Sequence, residues 1–165
     1  MIEFVFWVFV ASAAIQFLFF TLVTIALSLY NKPVLNDDKA VGISVVVCAK
    51  NETENLKKLI PKLLKQNYNQ FELIVVDDRS TDGTYEYMIE LKQIEDKIKF
   101  VRIDSTPDHI NNKKYAITLG VRAAKFEHIL LTDADCAPAG DNWINEMSKG
   151  YNSDKKNFVI GYSIH

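Results

Sequence analysis

From Phe4 to Leu29 the chain is almost wholly apolar and carries no charged side chain. A helix over these 26 residues would be about 39 Å long at 1.5 Å per residue, against roughly 30 Å of bilayer hydrocarbon. The segment is apolar on every face, unlike a core helix with a single buried stripe. Its polar positions are Ser12, Gln16, Thr21, Thr24 and Ser28, and Trp7 and Tyr30 stand near its ends, where amphipathic rings favour a membrane interface. A cleaved signal peptide would need a basic start, a shorter apolar core and a small-residue cleavage site. Here the only early charge is Glu3, and Tyr30-Asn31-Lys32-Pro33 is no such site. The pattern predicts an uncleaved transmembrane anchor over residues 1–31 and a polar linker over 32–41. Lys32, Lys39 and Lys50 follow the apolar run and no Lys or Arg precedes it. The positive-inside rule then predicts a single pass with the rest of the chain in the cytoplasm.

Beyond the linker the pattern changes. Ile43–Ala49, Phe71–Val76, Ile98–Ile103 and His128–Thr132 are short runs rich in β-branched and apolar residues, three of them with little alternation. The first two predict strands buried on both faces, and the other two a third and a fourth strand. Between them, residues 54–66 place Leu56, Leu59, Ile60, Leu63 and Leu64 at helical spacing, with Pro61 expected to kink the helix. Residues 82–94 read as a helix opening at Asp82, and residues 111–124 as one whose Ala116, Gly120 and Ala123 suit close packing. Asp141–Gly150 reads as helical and Phe158–Tyr162 as the start of a fifth strand. Alternating strands and helices predict right-handed βαβ units, an α/β fold and a mainly parallel sheet.

Composition narrows the function classes. The chain has 165 residues, 48% hydrophobic and 24% charged, which excludes a disordered tail or a small disulfide scaffold. Its net charge of −2 does not suit an electrostatic nucleic-acid binder. Cys48 and Cys136 are too few and too far apart for a disulfide framework or a zinc site. Cys48 is expected to be an inert core thiol. His109 and His128 lack partners at metal-ligand spacing. There is no Gly-x-Gly, no Gly-Lys pair, no His-Glu-x-x-His and no Gly-x-Ser-x-Gly. Those absences remove the dinucleotide fingerprint, the P-loop, the zinc protease and the serine hydrolase.

Polar clusters fall at the expected C-terminal ends of the strands, where ligands sit in parallel sheets. The first strand ends in Lys50-Asn51-Glu52, the second in Asp77-Asp78-Arg79-Ser80, the fourth in Asp133-Ala134-Asp135. Two carboxylates two residues apart at a strand end suit a hard divalent cation shared with substrate phosphates. Alone, such a triplet also fits a solvated turn. Asp82 fits a helix cap, a task that leaves Asp78 unexplained. Lys113-Lys114 opens a helix, where the macrodipole disfavours cations; a nearby anion would account for the pair, and so would solvent exposure.

The combination is more specific than its members. SVVVCAKNE, IVVDDRSTDGT, NNKKYAITLGVRAA and ILLTDADC occur in that order, each at a strand–helix boundary. Together they resemble the family 2 glycosyltransferases of GT-A fold, inverting enzymes that use nucleotide-diphosphate sugars, over about residues 42–162. Among these the chain is most similar to membrane-anchored bacterial members. The resemblance implies a Rossmann-like nucleotide-sugar-binding half and an inner-membrane location. It implies that Ala49, Asn51 and Glu52 line the nucleoside pocket, that Asp78 bonds the base and that Lys113 reaches the nucleotide. Asp133 would lie near the ribose or diphosphate, and Asp135, with Asp133, would hold Mg²⁺ or Mn²⁺. The partners implied are a nucleotide-diphosphate sugar, a uridine diphosphate sugar first, and a glycan or lipid-linked acceptor.

In that family an acceptor half follows the D-x-D strand and supplies the general base from a Glu-Asp-like motif, and processive members add a Gln-x-x-Arg-Trp helix. Neither motif occurs up to His165. Residues 42–165 are therefore expected to form the donor half of a family 2 domain, truncated at its C-terminus, with the base beyond residue 165. The competing readings are a nucleotide-sugar-binding subunit without turnover and a nucleotidyltransferase. The latter usually has a Gly-rich loop after its first strand, and Lys50-Asn51-Glu52-Thr53 has no Gly.

Overall fold

The structure is a computed structural model that describes residues 2–29 and 41–151. The expected strand at Phe158–Tyr162 and nearly all of the linker lie outside these residues. The chain divides into two compact units, residues 1–35 and 36–165.

In the first unit, helix α1 spans Ile2–Ser28 and buries none of its residues against protein. By length and composition it is able to cross a membrane. The hydroxyls of Thr21 and Thr24 donate to the carbonyls of Phe17 and Phe20 at 2.8 Å, so the helix itself satisfies them.

In the second unit the elements run β1 (Ile43–Ala49), α2 (Thr53–Leu64), β2 (Phe71–Asp78), α3 (Thr84–Ile94), β3 (Ile98–Ile103), α4 (Asn112–Ala123), β4 (His128–Asp133) and α5 (Trp143–Ser148). A short 3₁₀ turn, Lys149–Tyr151, follows α5. The four described strands form one sheet in the order β3-β2-β1-β4, and every pairing is parallel. The mainly parallel α/β architecture expected from the sequence is therefore present.

Successive side chains on a strand point to opposite faces, and here both faces are covered. Val45, Val47, Leu73 and Val75 join Leu56, Leu59, Ile60 and Leu63 of α2, Met88 of α3 and Ile144 of α5 in one core. Val46, Ile74 and Val76 point the other way, onto Ala116 of α4. Each fully buried Leu or Ile on α2 stabilises the fold by about 1.5–3 kcal/mol, enough to carry the helix through Pro61 to Leu64 without a break. Gly120 lets α4 lie against the sheet, because a Cβ there would stand 2.4 Å from Val46 Cγ1.

Some boundaries differ from expectation. Strands β2 and β4 extend to Asp78 and Asp133, because the parallel ladder pairs backbone and takes the carboxylate residues with it. Helix α3 opens at Thr84 and not at Asp82, since Gly83 at its N-cap has φ 93° and breaks the helical path. Helix α5 is shorter than Asp141–Gly150, because residues 141–142 form a turn before it and the 3₁₀ turn closes it.

Candidate functional site

Strands β1, β2 and β3 step outward in one direction, and β4 then lies on the other side of β1. The order reverses between β1 and β4, the place where open parallel sheets bind ligands beyond their C-terminal ends. Cys48 pairs with Asp133 across this switch point and with Val76 on its other side. Asp78 and Asp133 thus end the two strands that flank β1. Their backbones are two strand spacings apart sideways, about 10 Å, and Asp78 stands two residues further along the strand direction.

Asp133 closes β4, and the amide of Cys136 donates to its carbonyl at 3.2 Å, so Asp133-Ala134-Asp135-Cys136 is a tight turn. Ala134 is buried, which leaves the carboxylates on either side of it open to solvent. Lys113 reaches Asp133 from the first turn of α4, with Nζ 2.9 Å from Oδ1 and 3.1 Å from Oδ2. This hydrogen bond and the charge of Asp133 raise the Lys113 pKa, so the ammonium persists at neutral pH. The helix end itself is capped by Asn111, whose Oδ1 accepts from the amides of Lys113 and Lys114 at 3.0 and 3.3 Å. Part of the expectation for Lys113 is thereby resolved: an anion does lie beside it, and it belongs to the chain.

Asp78 is 7% exposed. The guanidinium of Arg79 donates to its Oδ1 at 2.8 Å from both Nε and an Nη. Arg79 adopts φ 58° and Asn51 φ 57°, so both loops at this edge pass through the left-handed region. Neighbouring Asp77 is fully buried; its Oδ1 accepts from the Ser80 amide at 3.0 Å and its Oδ2 has no partner among the described residues.

Polar side chains tie the β1–α2 loop to the β2–α3 loop. The Asn51 amide donates to Ser80 Oγ at 2.8 Å, and Asn51 Oδ1 accepts from the Thr81 amide at 2.8 Å. The Glu52 amide donates to Thr84 Oγ1 at 3.3 Å, while Glu52 Oε2 accepts from Asn55 at 2.6 Å. Asp82 accepts from the Thr53 amide at 3.0 Å, the Thr84 amide at 3.1 Å and the Thr84 hydroxyl at 2.7 Å. It therefore serves the first turns of α2 and α3 together, more than the single cap expected of it. Its slight burial would raise the carboxyl pKa. The hydrogen bonds from Thr84 and Thr53 outweigh that and hold it well below the usual carboxylate range.

The structure gathers Ala49, Asn51, Glu52, Asp78, Lys113, Asp133 and Asp135 at one sheet edge. Ala49 is buried there, the Asn51 side chain is engaged by the β2–α3 loop, and the Glu52 side chain is bonded to Asn55. Sequence reasoning gave no individual role to Arg79, Ser80, Thr81, Thr53 or Thr84, although the run of hydroxyl residues after β2 was a visible signal. Cys48, expected in the core, is only partly buried, packed against the layer under α4. Burial, then the charges of Asp133 and Asp78, push its thiol up to about 11 against the opposing effect of Lys113. Among the described residues no group of three His, Cys, Asp or Glu side chains is placed to hold a metal unaided.

Comparison with known proteins now bears on this edge. Poly-β-1,6-N-acetyl-D-glucosamine synthase from Staphylococcus aureus (strain COL) is 29% identical over 108 residues, 66% of this chain and 25% of that protein. The synthase of the same name from Staphylococcus epidermidis is 31% identical over 94 residues, 57% of this chain and 22% of that protein. The chain thus spans about a quarter of the length of these curated relatives. Among solved structures, a mannosyltransferase from Pyrobaculum calidifontis in complex with GDP-Man and Mn²⁺ superposes with a TM-score of 0.71 at 19% identity, covering 84% of this chain and 40% of that one. TarS 1-349 from S. aureus in complex with UDP superposes at 0.55 with 22% identity, covering 65% of this chain and 31% of that one. These likenesses show the same fold. Residues 44–164 match the family model described as Glycosyl transferase family 2, and the chain belongs to that family.

Proposed function

We propose that this chain provides the donor-binding half of a membrane-anchored, inverting glycosyltransferase, taking a sugar from a nucleotide-diphosphate sugar for a glycan or lipid-linked acceptor. The observation that carries the reading is the pair of open carboxylates, Asp133 and Asp135, on one turn at the switch point, with Lys113 beside them and Asp78 across β1. The relatives' names make N-acetylglucosamine the first sugar to test, on uridine diphosphate.

A nucleoside diphosphate brings two to three negative charges to an edge already carrying two carboxylates. Two hard oxygen donors, too few to hold a metal alone, would suit a Mg²⁺ or Mn²⁺ ion that also draws on phosphate and water. Asp135, with Asp133, would hold it. When bound, such an ion stabilises the charge that develops on the departing diphosphate. Lys113 adds a cation at the same place and orients the Asp133 carboxylate. Asp78 accepts a hydrogen bond from the base, while the braced Asn51 and Glu52 backbone shapes the pocket wall beside Ala49. No described residue is assigned as the general base for the acceptor hydroxyl. Helix α1 holds the domain at the inner membrane, with the sheet unit on the cytoplasmic side.

Calorimetry of the full chain in detergent with uridine diphosphate, with Mn²⁺ or with chelator, tests the donor site. Metal is expected to tighten binding about 5–150-fold, the usual range of a coupling between two ligands. Asp135→Ala should abolish that dependence, and Asp133→Ala should mainly weaken nucleotide binding. Equal affinity with Mn²⁺ and with chelator would overturn the metal assignment.

A further inference from the structure

The two lysines that open α4 go separate ways. Lys113 pairs with Asp133. Lys114 lines a groove of about 500 Å³ with Arg122 and His109, between α4 and the segment that precedes it. Lys114, Thr118 and Arg122 recur every four residues and form one stripe on the helix, about 12 Å from end to end at 1.5 Å per residue. Lys114, Arg122 and His109 have no ion-pair partner among the described residues, although five other cations do.

The lining is made of donors. Asn111 uses Oδ1 to cap α4, which leaves its side-chain NH₂ for the groove. The Thr118 hydroxyl is committed to the Lys114 carbonyl at 2.8 Å and serves as wall. Tyr115 is packed against the core beneath α4, so its ring is a fixed side of the groove. No carboxylate is among the lining residues. Arg122 sits in the last turn of α4, where the helix dipole favours a cation. Lys114 has no such compensation. It lies in the first turn, next to the positive helix end and to Lys113.

We infer that this groove is a second anion site, separate from the nucleotide crevice, which binds a phosphate-bearing ligand between Lys114 and Arg122. The fork of Arg122 suits two phosphate oxygens and the ammonium of Lys114 a third. Its volume is that of an ordinary small-ligand pocket. The same chemistry would be supplied by an anionic phospholipid headgroup or by a soluble phosphate ester.

The test uses the full chain in a neutral detergent with chelator present, so that the metal-dependent crevice is silent. Inorganic pyrophosphate is one probe; dihexanoyl phosphatidylglycerol, against dihexanoyl phosphatidylcholine, is the other. Wild type is expected to bind at least one anionic probe, more weakly as salt rises. The K114A/R122A double variant should lose at least about tenfold in affinity, the loss of one or more charge-assisted hydrogen bonds. Lys113→Ala should retain binding. A preference for phosphatidylglycerol assigns the groove to the membrane surface, and a preference for pyrophosphate assigns it to a soluble ligand. Both residues are exposed, so the double variant should unfold at the wild-type temperature. No binding by either anionic probe, equal binding by wild type and double variant, or a loss that follows Lys113 alone would overturn the inference. A failed metal test at Asp135 would leave it standing.

Discussion

Asp82 joins two loops that are adjacent only in the fold, and its removal should loosen both. Its carboxylate accepts three hydrogen bonds, from the Thr53 amide (3.0 Å), the Thr84 amide (3.1 Å) and the Thr84 hydroxyl (2.7 Å). A hydrogen bond to a charged group contributes about 1.5–3 kcal/mol when shielded, and a lost helix cap costs about 0.5–2 kcal/mol. Asp82 is exposed and water can replace part of what it provides. Asp82→Ala is therefore expected to cost about 2 kcal/mol in urea unfolding at neutral pH, near the cap value. Asp82→Asn retains one acceptor oxygen and should cost about half as much.

The acid limb gives a second reading of the same group. The folded-state pKa of Asp82 is depressed by the Thr84 and Thr53 bonds. Its stabilisation is thus fully present above the unfolded value near 3.9 and is lost as pH falls below it. Wild type should lose more stability than Asp82→Ala between about pH 5 and pH 2, and the two should converge at the acid end. Hydrogen exchange by mass spectrometry locates the effect. The variant should raise exchange around Asn51–Thr53 as well as around Ser80–Thr84. Exchange rising at 82–84 alone, or parallel acid limbs in the two proteins, would refute the bridging role.

Gly120→Ala should destabilise the protein: overpacking against Val46 costs about 1–3 kcal/mol and outweighs the helix-propensity gain of about 1 kcal/mol. A lower urea midpoint that recovers in the Gly120→Ala/Val46→Ala double variant checks it, because the added Cβ meets Val46 Cγ1 at 2.4 Å. Cys48, with its thiol at about 11, should react slowly with iodoacetamide at pH 8. Asp133→Ala should speed that reaction by removing one anion and releasing Lys113; peptide mapping that shows no change would count against the crevice electrostatics described here.

The strands were legible because a parallel sheet covered on both faces leaves its signature in consecutive residues. Ile43–Ala49 and Phe71–Val76 show it, with nearly every residue buried, whereas β3 at the sheet's margin buries only Ile98 and Ile103. The ends of β2 and β4 were read two residues and one residue short, because Asp77, Asp78 and Asp133 look like loop residues by side chain yet pair by backbone. That difference matters for the site. A carboxylate on the last rung of a ladder is held in place more firmly than one in a loop, which is what presenting a charge to a ligand requires.

Polar interactions between loops leave no such trace. The partners of Asn51 and Thr53 lie about thirty residues further on, and hydrogen bonds between hydroxyls, amides and one carboxylate follow no period that a pattern could reveal. What sequence could offer was charge out of place. Two lysines at the start of a helix suggest a nearby anion or solvent exposure, and Lys113 has both, its anion being Asp133. This reasoning could not foresee that consecutive residues on a helix diverge by about 100°, so that one internal carboxylate serves only one of them. The same physics that explains Lys113 therefore leaves Lys114 with its charge unanswered. The groove it shares with Arg122 is where the remaining demand for an anion is concentrated.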